Sequence, residues 1–183
     1  MTDQAMAIKG KQVVLREKRL SDAQRDYAWR CDEELARFDA ARPLRSSFPD
    51  FLATYGEELR YPSPFRQVFA VEDLKGKHIG NVMYYNINSS RGEAELGITI
   101  GEKSYWGKGY GTDALRTLAR YIFDSTDLNR VYLNTLDWNI RAQRSFKKAG
   151  FVPRGTSRRD GHTFITMELR REQVMTPEPP EGS

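Results

Sequence analysis

Apolar and polar positions alternate through the middle of the chain, then change period. Val68 to Glu72, His78 to Ile87 and Glu93 to Ile100 read as strands. In the last, Glu93, Glu95, Gly97 and Thr99 share one face, and Ala94, Leu96, Ile98 and Ile100 the other. Turn residues at 73–77 and 88–92 separate these runs, so the three strands read as an antiparallel meander. His78 reads as a surface strand residue. Upstream, Gln12 to Arg16 is a first strand, and Ser21-Asp22 offers an N-cap for a helix to about Arg30, continued helically over 32–37. Ala40 to Pro49 reads as a loop. Phe51, Leu52, Tyr55 and Leu59 then keep helical spacing until Tyr61-Pro62-Ser63-Pro64 stops it.

Past Ile100 the period becomes 3.6. Leu115, Leu118, Ala119 and Ile122 form an apolar stripe, with Arg116 and Arg120 on the other face. Arg130 to Thr135 is the next strand, so strand, helix and strand imply a parallel pair with a right-handed crossover. Asn139 caps a helix that runs to Ala149, Gly150 ends it, and Lys147 and Lys148 occupy its last turn. Phe151 to Arg158 and His162 to Leu169 close the fold around an Arg159-Asp160-Gly161 turn. One domain over 1–171 is expected, with 1–10 a loose lead and 172–183 a disordered, proline-rich tail.

The change of period falls on Tyr105-Trp106-Gly107-Lys108-Gly109-Tyr110-Gly111-Thr112. Glycine admits positive φ and lets backbone approach a ligand. A helix start offers unpaired N–H groups to anions. Between strand and helix, the stretch reads as a phosphate cradle or a tight turn. It lacks the spacing of a P-loop, and G-x-G-x-G is not the dinucleotide fingerprint G-x-G-x-x-G.

Trp106-x-x-Gly109-x-Gly111 resembles the coenzyme-A loop of the Gcn5-related N-acetyltransferases, commonly Arg/Gln-x-x-Gly-x-Gly/Ala. Trp106 in the leading position resembles the branch that acetylates ribosomal-protein N-termini. Asn139-x-x-Ala142-x-x-x-Phe146-x-x-x-Gly150-Phe151 resembles a second segment of the same family. The resemblance spans about 12–170. It implies an α/β (α+β) fold: a mixed central sheet of about seven strands, with an antiparallel N-terminal meander and a parallel pair splayed around the cofactor, flanked by helices. It also implies acetyl-coenzyme A as donor and a primary amine as acceptor, bound together for direct attack. The cofactor residues it implies are Ile98, Ile100, Trp106, Gly107, Lys108, Gly109, Tyr110, Gly111, Thr112, Asn139 and Ser145. With no Arg or Gln at 106, anion binding rests on the N–H groups of 107–112, supported by Lys108 and Thr112.

Amine acetylation needs a neutral amine, a polarised carbonyl and a departing thiolate. Ala94-Glu95-Leu96-Gly97 resembles the family segment whose strand glutamate faces the amine, so Glu95 is the candidate base, directly or through water; a bulge would change its facing. A backbone N–H near Ile98 meets the carbonyl oxygen, as in relatives. Relatives often carry Tyr where this chain has Phe146, and Phe146 donates no proton. Ser145 is adjacent but weakly acidic, Tyr110, Tyr121 and Tyr132 have no assigned place, and a thiol of pKa about 8.5 can also leave as thiolate, so no general acid is assigned.

Composition narrows this slightly. In 183 residues there are 29 Lys/Arg and 25 Asp/Glu, a net +4. That charge is either an ordinary solvated surface or an attraction to an anion, a nucleotide cofactor or RNA. Basic residues gather late, at Arg141, Arg144, Lys147, Lys148, Arg154, Arg158 and Arg159. One cysteine, Cys31, excludes an internal disulfide and, with no signal segment, fits a cytoplasmic protein. Two histidines and one cysteine make no zinc site, and no metal is expected. No run approaches the roughly 20 apolar residues of a membrane span, so no membrane partner is expected. Nucleic acid enters only through a ribosomal substrate, and the state is monomer or homodimer. Two other readings stay open: a non-catalytic coenzyme-A-binding module, suggested by Phe146, and a ribosome- or RNA-associated basic protein.

Overall fold

A computed structural model describes residues 6–175. One eight-stranded sheet runs through it in the order β1-β2-β3-β4-β5-β6-β8-β7. The strands are β1 (Ala7–Lys9), β2 (Val13–Glu17), β3 (Arg66–Asp73), β4 (His78–Asn88), β5 (Glu93–Ile100), β6 (Arg130–Leu136), β7 (Val152–Arg159) and β8 (His162–Arg170). Every pairing is antiparallel except β5 with β6. The helices are α1 (Ala23–Cys31), α2 (Glu33–Phe38), α3 (Phe48–Arg60), α4 (Tyr110–Ser125), α5 (Ile140–Lys148) and α6 (Arg171–Met175).

The stripe of α4 makes the core. Leu115, Leu118, Ala119, Ile122 and Phe123 are buried with Val13, Leu15, Phe69, Val71, Ala94 and Leu96 of the sheet. Burying a side chain of that size contributes about 1.5–3 kcal/mol, so this layer dominates what holds sheet and helix together.

Four local readings change. The sheet has eight strands rather than about seven, because residues 7–9 leave the expected loose lead and pair with β2. Buried Asp113 on α4 holds the connecting turn, accepting from the N–H groups of Lys11 (3.2 Å), Gln12 (2.7 Å) and Val13 (3.1 Å). Gly10 lets that turn approach, since a Cβ there would lie 2.6 Å from Asp113 Oδ2. Secondly, Asp32 breaks the helix of 23–37: its backbone is extended and its side chain caps α2 through the Leu35 N–H at 2.9 Å.

Thirdly, His78 is buried, 5% exposed, rather than on the surface. Trp29 of α1 lies edge-on to its ring at 4.9 Å, and Asp22, Asp26, Lys18 and Asn81 surround it. Burial above all, with the nearby Lys18 charge, holds the imidazole below its ordinary range. Helix packing decides this, and strand alternation carries no trace of it. Fourthly, 171–175 are helical, whereas the tail was expected from 172; its remainder, 176–183, lies outside the described residues. Among the described residues, no helix is long and apolar enough to cross a membrane.

Candidate active site

The parallel pair is short. Glu93, Ala94 and Glu95 pair with Arg130, Val131 and Tyr132, and there the pairing stops. β5 continues beside β4 to Ile100, while β6 continues beside β8 to Leu136. A cavity of about 860 Å³ occupies the wedge between them. Trp106 Nε1 donates to the Ile100 carbonyl at 2.7 Å from the loop side. The Thr99 carbonyl faces the other way, close enough to β4 that a Cβ on Gly80 would sit 2.2 Å from it. Strand alternation therefore aims the N–H of Ile98 into the wedge, beyond the last β6 pairing.

The glycine loop closes one side of the wedge. Gly107 (φ 71°) and Gly109 (φ 87°) are left-handed, and Gly109 caps α4. Helix geometry leaves the N–H groups of 110–112 without partners inside the helix. A Cβ on helical Gly111 would make ordinary contacts where α4, α5 and β5 meet, 3.5 Å from Ser145 Oγ and 3.7 Å from Ile98 and Ile100 side-chain carbons. The cavity wall also carries Arg141, Arg144 and Lys148 of α5, cations suited to a phosphorylated ligand.

Of the twelve residues expected at the site, all but Lys108 line this cavity. Lys108 is exposed outside it. Several others are already engaged. Thr112 Oγ1 meets Ser145 Oγ at 2.9 Å, pinning α4 to α5, so the Thr112 hydroxyl is not a free anion donor. Asn139 spends its side-chain oxygen on the Ala142 N–H at 3.2 Å, as the cap of α5. Trp106 is a strut: its ring lies 5.7 Å from Phe38, and Arg141 stacks over it at 3.5 Å. Burial lowers the Arg141 guanidinium from its ordinary range. Arg141 was legible only as one of a basic cluster, and its stacking needed the fold.

Glu95 sits where the two strands part, 8% exposed. Asn86 donates to one carboxylate oxygen at 2.9 Å and Asn134 to the other at 2.9 Å. Thr166 in turn donates to Asn134 Oδ1 at 2.7 Å and orients that amide. Asn86 reaches Glu95 from a β4 irregularity, where the register shifts between Tyr85 and Asn88 and Asn86 takes a φ of 49°. The bulge lies in the neighbouring strand, so Glu95 keeps the facing that alternation assigns it. Tyr85, opposite Glu95, has its phenol pushed up to about 12, by burial first and then by the Glu95 charge and hydrogen bond.

A second carboxylate faces the cavity and was not singled out by sequence. Asp39 follows α2, and Thr99 Oγ1 donates to it at 3.4 Å. Asp39 is exposed to water at the cavity mouth, with neighbouring atoms crowding its carboxyl from the protein side. That crowding pushes the carboxyl up to about 6, against weaker opposing pulls from the Thr99 hydroxyl and the Arg30 charge. Phe146 also lines the cavity, and of the tyrosines without an assigned place, Tyr110 lines it while Tyr121 and Tyr132 do not. Among the described residues, no cluster of three or more His, Cys, Asp or Glu has metal-binding geometry.

A family model described as "Acetyltransferase (GNAT) domain" matches residues 12–152. The chain belongs to the GNAT acetyltransferase family. It is 33% identical over 79 residues to the uncharacterized N-acetyltransferase p20 of Bacillus licheniformis, covering 40% of this chain and 44% of that one. The alignment thus spans less than half of p20. It is 30% identical over 74 residues to a kanamycin resistance protein of Rhizobium radiobacter, covering 40% and 68%. The fold matches the crystal structure of spermidine N-acetyltransferase from Vibrio cholerae in complex with CoA and spermine. That match has a TM-score of 0.77 at 21% identity and covers 89% of this chain and 98% of the other. In this GNAT protein the wedge, the glycine loop and the α5 cap converge on one cavity.

Proposed function

We propose that this chain moves an acetyl group from acetyl-coenzyme A to a primary amine by direct attack in a ternary complex. The observation that carries the reading is Glu95: a buried carboxylate, held by two amides, at the point where the wedge opens. The fit of the donor is supported by the cavity of about 860 Å³, the left-handed turns at Gly107 and Gly109, and the three α5 cations. Bound there, the thioester supplies an activated acyl group. The N–H groups of 110–112 and the α5 cations hold its phosphate end.

Glu95 takes the proton of the incoming ammonium, directly or through water. An unperturbed amine has a pKa of about 8 at a chain terminus and about 10.4 on lysine, so it arrives protonated at neutral pH. Asn86 and Asn134 fix the carboxylate so that proton transfer needs no rearrangement. The Ile98 N–H donates to the carbonyl oxygen as negative charge develops there. Phe146 would offer no proton to a departing thiolate, the Ser145 hydroxyl is a weak acid, and of Tyr110, Tyr121 and Tyr132 only Tyr110 lines the cavity. The thiolate would take its proton from solvent, to which the nitrogen would shed its second proton. A thiol pKa near 8.5 makes that exit accessible.

The spermidine and kanamycin named for relatives are both amines, which supports the acceptor class without choosing a member. Release of free thiol from acetyl-coenzyme A in the presence of an amine panel tests the reading. Saturable amine-dependent release is expected. Cofactor binding without release from any amine would leave a non-catalytic coenzyme-A-binding module instead.

A further inference from the structure

A trough runs along the face of β4 and β5 that carries Glu95 and Thr99 and that Asp39, just past α2, meets at Thr99. Pairings of Asn81 with Thr99, Met83 with Gly97, and Tyr85 with Glu95 put these six residues in three successive rows. Glu95 ends the trough at the wedge. Thr99 ends it four residues away, roughly 13 Å along the strand, and Asp39 closes that end through its bond to Thr99. Between them the floor is apolar. Met83 and Tyr85 lean over Gly97, where a Cβ would come 3.2 Å from Met83 Cγ and 3.5 Å from Tyr85 Cε1. Among the described residues, neither Glu95 nor Asp39 makes an ion pair, while other acids of this sheet, such as Glu72, Glu93 and Glu168, do. Asp39 and Glu95 line one cavity.

We propose that Asp39 is a specificity-determining residue that holds a second cationic group of the acceptor, so that the preferred acceptor is a diamine with an apolar spacer. The proposal rests on the acetyl-transfer reading for the reacting end, where one amine meets Glu95. The distal ammonium meets Asp39 at the solvent-exposed end of the trough. The spacer lies on Met83 and Tyr85, whose carbon surface gains from covering by methylene groups. Arg159 on the opposite wall stacks on Phe164 at 4.7 Å and belongs to the β7–β8 hairpin, and the Arg30 charge reaches Asp39 without forming an ion pair with it.

The test pairs α,ω-diaminoalkanes with n-alkylamines of matched length, on the wild type, Asp39→Asn and Asp39→Glu. With the wild type, kcat/KM for the long diamines should exceed that for matched monoamines by about tenfold or more, chiefly through KM. Asp39→Asn should erase that advantage, and Asp39→Glu should restore part of it. Equal use of diamine and monoamine by the wild type, or an Asp39→Asn loss that is the same for both, overturns the proposal. Calorimetric titration of diamine into the coenzyme-A-bound protein separates the two readings. Asp39-dependent diamine binding without any acetyl transfer defeats the transfer reading and keeps this one. Transfer with binding indifferent to Asp39 does the reverse.

Discussion

Glu95 and Glu168 lie on one cross-strand row, joined through Tyr132, and they are opposite in character. Both are buried, at 8% and 4% exposure. Glu168 is surrounded by arginines: Arg130 at 2.5 Å, Arg154 at 2.7 Å and Arg170 at 3.3 Å. Burial opposes its ionisation, but those hydrogen bonds and charges outweigh it and hold the carboxyl at about 2. Glu95 has only neutral donors and opens onto a cavity. A carboxylate matched by cations is complete and serves the fold. One held by amides is fixed in place with its negative charge uncompensated, which is what a ligand ammonium needs. Asp39 shares with Glu95 only the lack of an ion pair, its one side-chain partner among the described residues being the Thr99 hydroxyl, and Asp22, paired with buried Arg16 at 2.8 Å, belongs with Glu168.

The largest expected effect tests the catalytic side of this contrast. Glu95→Gln keeps the shape and removes the base, so kcat should fall about 10²- to 10⁴-fold while coenzyme-A affinity, read by calorimetry, stays close to wild type. An unchanged kcat would move Glu95 to the structural side. Glu168→Gln should do the opposite. It weakens three charge-assisted hydrogen bonds, and a loss of about 1–3 kcal/mol is expected in urea unfolding, with thiol release near wild type. A Glu168→Gln enzyme as stable as wild type but slow would erase the distinction.

Acid titration sharpens it. Glu168 and Asp22 have carboxyls held at about 2 in the folded chain, below their ordinary values of 4.5 and 3.8. In each case burial works against the lowering and arginine hydrogen bonds prevail, from Arg130 and from Arg16 respectively. The unfolded chain therefore binds more protons in this window, so their stabilisation is complete above about pH 4.5 and drains away as pH falls toward 2. Thermal unfolding across that range should show the loss, and Glu168→Gln should blunt it.

The smallest effect belongs to Asp39, whose carboxyl is raised from 3.8 to about 6. Here the folded chain holds the proton more tightly, so ionised Asp39 costs stability, increasingly from about pH 4 to 6 and fully above. Asp39→Asn removes that cost. After discounting for water at the cavity mouth, a gain of less than about 1 kcal/mol is expected above pH 6, absent below about pH 4. A destabilised Asp39→Asn protein at pH 7 would show Asp39 to be a fold residue.

What the sequence determined by itself is local. A left-handed loop needs glycine, so Gly107 and Gly109 mark the turn into α4. A helix start needs a side-chain acceptor, so Asn139 marks α5. The 3.6-residue stripe of Leu115, Leu118, Ala119 and Ile122 marks the buried helix, and alternation put Glu95 on the face with Gly97 and Thr99, which also line the cavity. These signals act within a few residues, because hydrogen-bond geometry and side-chain direction repeat at fixed short spacings. What only the tertiary structure decided involves partners far apart in the chain. Asp113 clamps the turn of 11–13, Asp39 meets Thr99, Arg141 stacks on Trp106, and α1 buries His78. Each depends on strand register and on where a helix docks. Those are set by the burial of the whole core, and the short spacings around Asp39 or His78 carry no record of it.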